Sequence, residues 1–196
     1  ITFTAKPAKT TACIGTTGSG KTTIMNLLMG LYQMNFGEIK IDGTSIRDYD
    51  PDYLRSRISY GTQKAMVFQD TVYNNISAYN KECSEERVRL ACDAAEFSEV
   101  LEKMPDGTNS MMAQGGMNIS GGQRQRLSLA RTIAKDAAIY IFDDTFSALD
   151  SKTEASVRKN IKNILKGKTI IMVAQKISTI ADADNIIVLD KGRIAK

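Results

Sequence analysis

The chain has 196 residues, of which 42% are hydrophobic and 24% charged, and its net charge at pH 7 is +4. This length suits one domain, or one domain with an insertion, and the composition excludes a disordered chain. The sequence contains no histidine, and its three cysteines, Cys13, Cys83 and Cys92, have no metal-type spacing, so we expect reduced thiols in a cytosolic setting. No apolar run reaches the ~18 residues that a membrane span needs, and we expect no signal peptide.

The first third of the chain alternates between strand and helix patterns. Residues 11–14 read TACI and predict a short strand, and the good helix formers of residues 21–31 predict a helix. Residues 37–41 alternate and are followed by an Asp-Gly pair, which predicts an antiparallel hairpin at a sheet edge. Residues 51–57 then predict a short helix, and residues 58–60 another strand.

A glycine-rich segment connects the first predicted strand to the first helix. Residues 15–22 read GTTGSGKT and fit the phosphate-loop pattern G-x-x-x-x-G-K-[ST] in full. Its glycines let main-chain N–H groups point at phosphate oxygens, and the helix N-terminus adds its positive dipole end. Lys21 supplies a charge for the β- and γ-phosphates, and the Thr22 hydroxyl can bind Mg²⁺. The residues predicted to contact nucleotide phosphates are Gly15, Thr16, Gly18, Ser19, Gly20, Lys21, Thr22 and Thr23.

The middle of the chain is helical in pattern. Ser84 is followed by acidic residues and predicts a helix start, and an apolar stripe continues to Phe97. A break follows at residues 104–107. Two glycine pairs, at 115–116 and 121–122, then precede a helical stretch over residues 123–135.

Two adjacent carboxylates, Asp143 and Asp144, follow the apolar strand pattern of residues 139–142. Such a pair could hold a metal, activate a water or cap the next segment. In phosphate-loop enzymes a carboxylate at the end of a second apolar strand reaches Mg²⁺, usually through water. We therefore assign Asp143 to metal binding. We expect Asp144, one residue further on, to face an attacking water.

The last part of the chain predicts strand, helix, strand, helix, strand. Residues 151–154 read Ser-Lys-Thr-Glu and predict a capping box that opens a helix ending near Gly167. Residues 169–174 and 185–190 are typical of strands covered on both faces. Together with the N-terminal third, this predicts an α/β fold with a mostly parallel sheet, an antiparallel edge hairpin and an inserted α-helical subdomain.

The segment before the last helical stretch carries a family resemblance. Residues 118–126 read NISGGQRQR and closely resemble the ATP-binding cassette (ABC) ATPases, whose signature is LSGGQ. Gln63 resembles the family's Q-loop glutamine, residues 147–150 (SALD) its D-loop, and Gln175 occupies the position of its switch histidine. The resemblance covers essentially the whole chain. Alone, Gln63 would be read as a polar loop residue and SGGQ as a glycine hinge.

The resemblance implies a RecA-like ATP-binding core over residues 1–63 and 132–196, with a signature subdomain over residues 64–131. It also implies that two such domains bind head to tail, with ATP between the phosphate loop of one and the signature of the other. The residues that would contact the partner's ATP are Ser120, Gly121, Gly122 and Gln123. The resemblance further implies that the catalytic residues are Lys21, Gln63, Asp144 and Gln175. Gln63 would also contact ATP. The residues that would bind Mg²⁺ are Thr22, Gln63 and Asp143.

Two departures from the family pattern affect hydrolysis. Members competent in hydrolysis carry Glu where this chain has Asp144, and His where it has Gln175. The Asp carboxylate is roughly 1–1.5 Å shorter, and a misplacement of about 1 Å can cost ~10²-fold. Gln175 can donate a hydrogen bond but cannot carry an imidazolium charge. We therefore predict a domain that binds ATP and Mg²⁺ with weak hydrolysis at its own site, the non-catalytic half of a heterodimeric ABC exporter.

The expected partners are a second ABC nucleotide-binding domain and a transmembrane domain, at the cytoplasmic face of a membrane. Ala8 stands where the family usually has Gly, and Gln114 where exporters often have a Glu that contacts the membrane region. We expect the adenine-stacking aromatic and the membrane segments before Ile1. A homodimer, a fully active ATPase half and a non-transport ABC ATPase are the alternatives. No basic stripe with interleaved aromatics predicts a nucleic-acid partner.

Overall fold

The computed structural model describes residues 1–195, and these residues form two compact units. The first, here called the sheet unit, comprises Ile1–Tyr60, Ala137–Asp143 and the described chain from Gly167 onward. The second, the helical unit, comprises Gly61–Asp136 and Asp144–Lys166. The helical unit is therefore larger than residues 64–131, and the predicted functional division into an ATP-binding core and a signature subdomain stays a prediction.

A mostly parallel sheet organises the sheet unit. Within residues 1–195 it has six strands in the order β4-β5-β6-β1-β7-β8, and β2 pairs with β3 in a separate sheet. β1 lies parallel to both β6 and β7, β5 lies parallel to β6, and β8 is antiparallel to β7. The strands are β1 (Thr10–Gly15), β2 (Lys40–Ile41), β3 (Thr44–Ser45), β4 (Ile58–Gly61), β5 (Ile139–Asp143), β6 (Thr169–Ala174), β7 (Asn185–Asp190) and β8 (Arg193–Ile194).

Helices cover the sheet and build the helical unit. The α-helices are α1 (Lys21–Leu28), α2 (Pro51–Ser56), α3 (Val72–Ser77), α4 (Glu85–Ala94), α5 (Ser98–Glu102), α6 (Gly121–Ala134), α7 (Ser151–Ile164) and α8 (Ile177–Ile180). Short 3₁₀ helices lie at Ile46–Asp48, Gly107–Asn109 and Gln114–Gly116. In the helical unit α6 packs against α3 and α4, and α4 also contacts α7. Even the longest helices, α6 and α7, have 14 residues, and no helix of the described chain could cross a membrane.

The core of the sheet unit fixes the start of α1. Met25 and Met29 are buried from the helix side, and Leu54 joins them from α2. Because side chains alternate along a strand, every second residue of the sheet points into this core. Its strand members are Cys13, Ile58, Ile141, Ile171, Val173, Ile187 and Leu189. This packing holds the segment between β1 and α1 at the carboxyl end of the central strand.

The predicted α/β architecture is confirmed, and several details differ. The hairpin after Ile39 forms, with Asp42 (φ 50) and Gly43 (φ 84) in its turn, but β2 and β3 make their own two-stranded sheet. The antiparallel edge of the main sheet is β8 instead. The helical stripe predicted from Ser84 up to the break at residues 104–107 is divided into α4 and α5, because Glu96 between them adopts a left-handed backbone (φ 55).

The predicted capping box at Ser151 is wrong by one residue. The N-cap of α7 is Asp150, whose side chain accepts hydrogen bonds from the backbone N–H groups of Lys152 and Thr153. An Asp at this position accepts hydrogen bonds from the N–H groups of the first turn, and its negative charge is stabilised by the positive end of the helix dipole. Helix α3 was not predicted, since its six residues are too few to show a helical period.

Candidate nucleotide site

The segment between β1 and α1 forms a closed loop. The backbone N–H of Ser19 donates to the Thr16 carbonyl at 3.1 Å. Gly18 (φ 82) and Gly20 (φ 101) have backbone conformations that favour glycine. At Gly15 the reason is space, because an added Cβ would lie 2.3 Å from the Leu189 carbonyl oxygen. The loop therefore requires glycine where the sequence pattern places it.

Lys21 is the group around which this loop curves. Its side chain is 8% exposed. Its Nζ donates to the carbonyl oxygens of Gly15 at 2.7 Å and Thr16 at 2.8 Å, and to Ser19 Oγ at 3.4 Å. An ammonium held by neutral carbonyls can exchange them for negatively charged phosphate oxygens, which form stronger hydrogen bonds. The predicted phosphate-binding residues Gly15, Thr16, Ser19 and Lys21 are thus brought together.

The N-terminus of α1 is suited to an anion. Its N-cap is Gly20, no side chain caps it, and the first turn contains no acidic residue. The backbone N–H groups of this turn therefore have no side-chain acceptor, and the helix dipole adds positive charge. Thr22 and Thr23 are exposed in the same turn. These donors fit the phosphate chain of a nucleotide.

The carboxyl ends of the parallel strands place Asp143 and Gln175 at the same edge as the loop. Asp143 pairs in register with Val173, which pairs with Cys13, two residues before the loop begins. Gln175 directly follows the last residue of β6. The side chain of Asp143 is buried, and that of Gln175 is exposed. A side-chain hydroxyl and a buried carboxylate, from Thr22 and Asp143, are thus available at this edge.

Cys13 is buried in β1 beneath the loop, and nearby charges shift the pKa of its thiol. Burial and the charge of Asp143 raise the pKa of the Cys13 thiol to about 11, and Lys21 opposes this shift. The thiol therefore stays uncharged at neutral pH, as expected for a core cysteine. The two groups act in opposite directions because a negative charge disfavours the thiolate and a positive charge favours it.

Tyr60 is a site residue that the sequence did not reveal. Its hydroxyl donates to Asp143 Oδ2 at 3.0 Å, from β4 to the neighbouring β5. Burial and the charge of Asp143 raise the pKa of Tyr60 above its ordinary range, so the hydroxyl keeps its proton and remains a donor. The one signal in the sequence is a hydroxyl-bearing aromatic at the end of an apolar strand, where a partner for the hydroxyl is needed.

The donor set fits Mg²⁺ held mainly by a nucleotide. Mg²⁺ usually keeps several waters and is bound through one or two carboxylates plus substrate phosphates. Within residues 1–195 no cluster of three or more His, Cys, Asp or Glu side chains could hold a metal ion. The predicted ligands Thr22 and Asp143 belong to the sheet unit, and Gln63 belongs to the helical unit. A metal bound through phosphate oxygens needs no such cluster.

Two predicted catalytic residues contact each other in the helical unit. Gln63 Nε2 donates to Asp144 Oδ2 at 2.9 Å. Asp144 has a left-handed backbone (φ 52), and its carbonyl accepts from the hydroxyl and the backbone N–H of Ser147. The side chain is 8% exposed. The carboxylate predicted to face water is therefore held by an amide and by a tight turn.

The signature residues lie together at the surface of the helical unit. Ser120 is the N-cap of α6, and its Oγ accepts from the Gln123 N–H at 3.3 Å. In return, Gln123 Oε1 accepts from the Ser120 N–H at 2.8 Å, which completes a capping box. Ser120 and Gly121 are exposed, and Gly122 is half-buried. This helix start is capped by its own side chains, unlike that of α1.

A closed phosphate loop around a buried lysine, on the central strand of a mostly parallel sheet, defines the P-loop nucleoside triphosphatase class. Comparison with known families gives the narrower assignment. The family model described as "ABC transporter" matches residues 1–147, and the chain belongs to this family. Domains of this family bind ATP, generally with Mg²⁺.

The chain is similar to proteins named as flippases. It is 42% identical over 196 residues to the ATP-dependent lipid A-core flippase of Paraburkholderia xenovorans (strain LB400), covering all of this chain and 33% of the flippase. The flippase of Desulfotalea psychrophila (strain LSv54 / DSM 12343) is 40% identical over 185 residues, covering 94% of the chain and 32% of the flippase. The chain therefore spans about a third of the length of these relatives.

A solved structure shares both fold and sequence with the chain. It is described as "Structure of a bacterial Atm1-family ABC exporter with ATP bound", and it superposes with a TM-score of 0.92 at 34% identity. The match covers 97% of this chain and 34% of that chain. The predicted ABC resemblance is thereby confirmed.

Proposed function

We propose that this chain is a nucleotide-binding domain that binds Mg-ATP, hydrolyses it weakly at its own site and helps to drive export across a membrane. The observation that carries the proposal is Lys21, buried within a closed phosphate loop at the uncapped start of α1. Burying an ammonium among carbonyls and leaving a helix N-terminus uncapped are both costly unless an anion binds there. A nucleotide triphosphate satisfies both groups at once.

The binding step uses the residues of the sheet unit. Lys21 Nζ exchanges its bonds to Gly15 and Thr16 for the β- and γ-phosphates, while the backbone N–H groups of Gly18 and of residues 20–23 hold the remaining oxygens. Thr22 and Asp143 would hold the Mg²⁺ that accompanies the phosphates. When bound, Mg²⁺ neutralises charge on the phosphate oxygens.

Weak hydrolysis follows from Asp144 and Gln175. The short carboxylate of Asp144 already accepts from Gln63, so one of its oxygens is engaged by an amide instead of a water. Gln175 can position the γ-phosphate by an amide hydrogen bond, but it adds no charge to the transition state. Binding requires neither residue, so we expect affinity and turnover to be separable.

The assembly proposed is a pair of ABC domains at the cytoplasmic face of a membrane, each joined to a transmembrane domain. It is supported by relatives that carry about two thirds of their length outside the matched region and are named as a flippase and an exporter. In this pair Ser120, Gly121, Gly122 and Gln123 contact the ATP held by the partner domain. The two differences at Asp144 and Gln175 favour a partner that is not a second copy, and a homodimer remains the alternative.

Calorimetric titration with Mg-ATP tests the binding step. We expect Lys21→Ala to weaken affinity about 10- to 100-fold, because a charge-assisted contact to phosphate is worth about 1.5–3 kcal/mol. Lys40→Ala is the matched control, since Lys40 is an exposed lysine of the same unit that pairs with Glu38. Unaltered affinity in Lys21→Ala would contradict the proposal. So would the absence of any heat of binding when the unmodified protein is titrated with Mg-ATP.

A further inference from the structure

Tyr60 and Asp143 make a side-chain contact between neighbouring strands of the sheet unit. The Tyr60 ring is half-buried and packs against the core that contains Ile58 and Ile141. The ring reaches across to Asp143, the last residue of β5, and donates its hydroxyl to Oδ2 at 3.0 Å. The contact lies at the strand end where the phosphate loop also lies.

A hydrogen bond to one oxygen of a carboxylate controls the direction of the other. The carboxylate of Asp143 rotates about its Cβ–Cγ bond, a broad torsion with little intrinsic preference. A donor fixed in a strand restricts that rotation and so sets the direction in which Oδ1 points. Phenylalanine would fill the same space in the core without supplying the donor. The hydroxyl of Tyr60 is therefore used for orientation and not for packing.

We infer that Tyr60 is a positioning residue, which holds the Asp143 carboxylate in the orientation that meets the divalent ion of bound nucleotide. The inference rests on the proposed function, because the ion arrives with ATP. Groups that hydrogen-bond to a ligating carboxylate typically contribute 10- to 100-fold in metal affinity. Nucleotide held without metal makes no use of Asp143, so its affinity does not depend on Tyr60.

The test uses Mn²⁺ as a spectroscopic substitute for Mg²⁺. Electron paramagnetic resonance measures the binding of Mn²⁺ to the complex of protein and ATP, and a fluorescent ATP analogue in EDTA measures metal-free nucleotide affinity. We expect Tyr60→Phe to weaken Mn²⁺ binding about 10-fold and to leave the EDTA affinity unchanged. Tyr49→Phe is the matched control, because it removes a hydroxyl that donates to the Ile41 carbonyl at 3.1 Å elsewhere in the same unit.

A double-mutant cycle with Asp143→Asn separates positioning from a general loss of structure. Once the carboxylate is removed, adding Tyr60→Phe should cause no further loss of Mn²⁺ affinity. The cycle also serves if Tyr60→Phe alone does not fold, because the double variant removes the hydroxyl and the carboxylate charge together and can be compared with Asp143→Asn.

Four results would overturn the inference. They are equal Mn²⁺ affinity in Tyr60→Phe and the unmodified protein, a parallel loss of affinity in EDTA, an additive loss in the double variant, and a 10-fold loss in the Tyr49→Phe control. If the unmodified protein binds no ATP even with metal, the proposed function itself fails, and the inference falls with it. That outcome is distinct from intact ATP binding with an unaltered response to Mn²⁺.

Discussion

At the scale of single residues, Asp144 is subject to two opposing effects. Its backbone lies in the left-handed region (φ 52), which Asp adopts more readily than Glu because its short polar side chain can bond locally. The same short side chain keeps its carboxylate further from a substrate-bound water. Local backbone geometry thus favours Asp, whereas proton abstraction favours the longer Glu.

We predict that the double change Asp144→Glu and Gln175→His raises ATP turnover at this chain's own site by about 10²-fold in an assembled transporter. The longer carboxylate recovers about 1 Å of reach, and an imidazole can supply the charge that Gln175 lacks. Phosphate release measures the gain. Asp42→Glu is the matched control, because Asp42 has almost the same left-handed backbone (φ 50) but lies in the hairpin turn between β2 and β3.

The control separates backbone strain from chemistry. Both Asp→Glu changes should lower the free energy of unfolding by up to about 1 kcal/mol, and only the change at Asp144 should alter turnover. Turnover that stays at the starting value in the double variant would show that Asp144 and Gln175 do not limit hydrolysis.

At the scale of elements, a single buried amide anchors α3 to its surroundings. Asn75 is 1% exposed. Its Oδ1 accepts from the backbone N–H of Phe68 and from Arg131, and its Nδ2 donates to the carbonyls of Phe68 and Thr71. Arg131 also stacks over the Phe68 ring, with its guanidinium carbon 5.0 Å from the ring centre. One side chain of α3 therefore connects a loop to α6.

We predict that Asn75→Ala lowers the free energy of unfolding by about 2–4 kcal/mol, because it removes the hydrogen bonds of a buried amide, including those accepted from the Phe68 N–H and from Arg131. Asn74→Ala is the comparison, since the neighbouring amide is only half-buried and donates to Asp70 at 2.7 Å. That change should cost about 0.5–1.5 kcal/mol. Urea denaturation measures both values, and equal losses would show that the network around Asn75 adds nothing beyond an ordinary hydrogen bond.

Elements with continuous patterns could be predicted from the sequence, and side-chain geometry could not. β1, β5, β6 and β7 are apolar runs that need no tertiary context to recognise, and the phosphate loop carries its own spacing. The contact between Tyr60 and Asp143 joins positions far apart in the chain, so no local pattern encodes it. Ala8 is an intermediate case: the family pattern has glycine there, and the backbone of Ala8 is indeed left-handed (φ 56).

At the scale of the whole molecule, the chain presents two helix N-termini that differ in what satisfies them. The start of α1 has no side-chain cap, whereas the start of α6 is closed by Ser120 and Gln123. The first can accept an anion directly. The second must first exchange the bond between Ser120 Oγ and the Gln123 N–H, which at 3.3 Å is long and correspondingly weak. We therefore expect the signature to engage phosphate only when a partner domain delivers it.

This expectation leads to a prediction about the paired assembly. Adding this chain to a competent ABC partner should raise the partner's ATPase rate, and Ser120→Arg should abolish that rise. The bulky side chain would block the surface on which the partner's ATP docks and would remove the Oγ that contacts it. Because Ser120 is also an N-cap, the change should lower the free energy of unfolding by about 1 kcal/mol. The test therefore needs a control variant that loses the same stability at a different helix.

Ser84→Arg controls for that loss of stability. Ser84 is the N-cap of α4 in the same helical unit, and its Oγ accepts from the Arg87 N–H at 3.2 Å. The two variants make the same substitution at equivalent cap positions, so their thermal unfolding temperatures should fall by similar amounts. Only Ser120→Arg should lose stimulation of the partner. If Ser84→Arg loses it equally, the signature of this chain acts through helix stability and not through the partner's nucleotide.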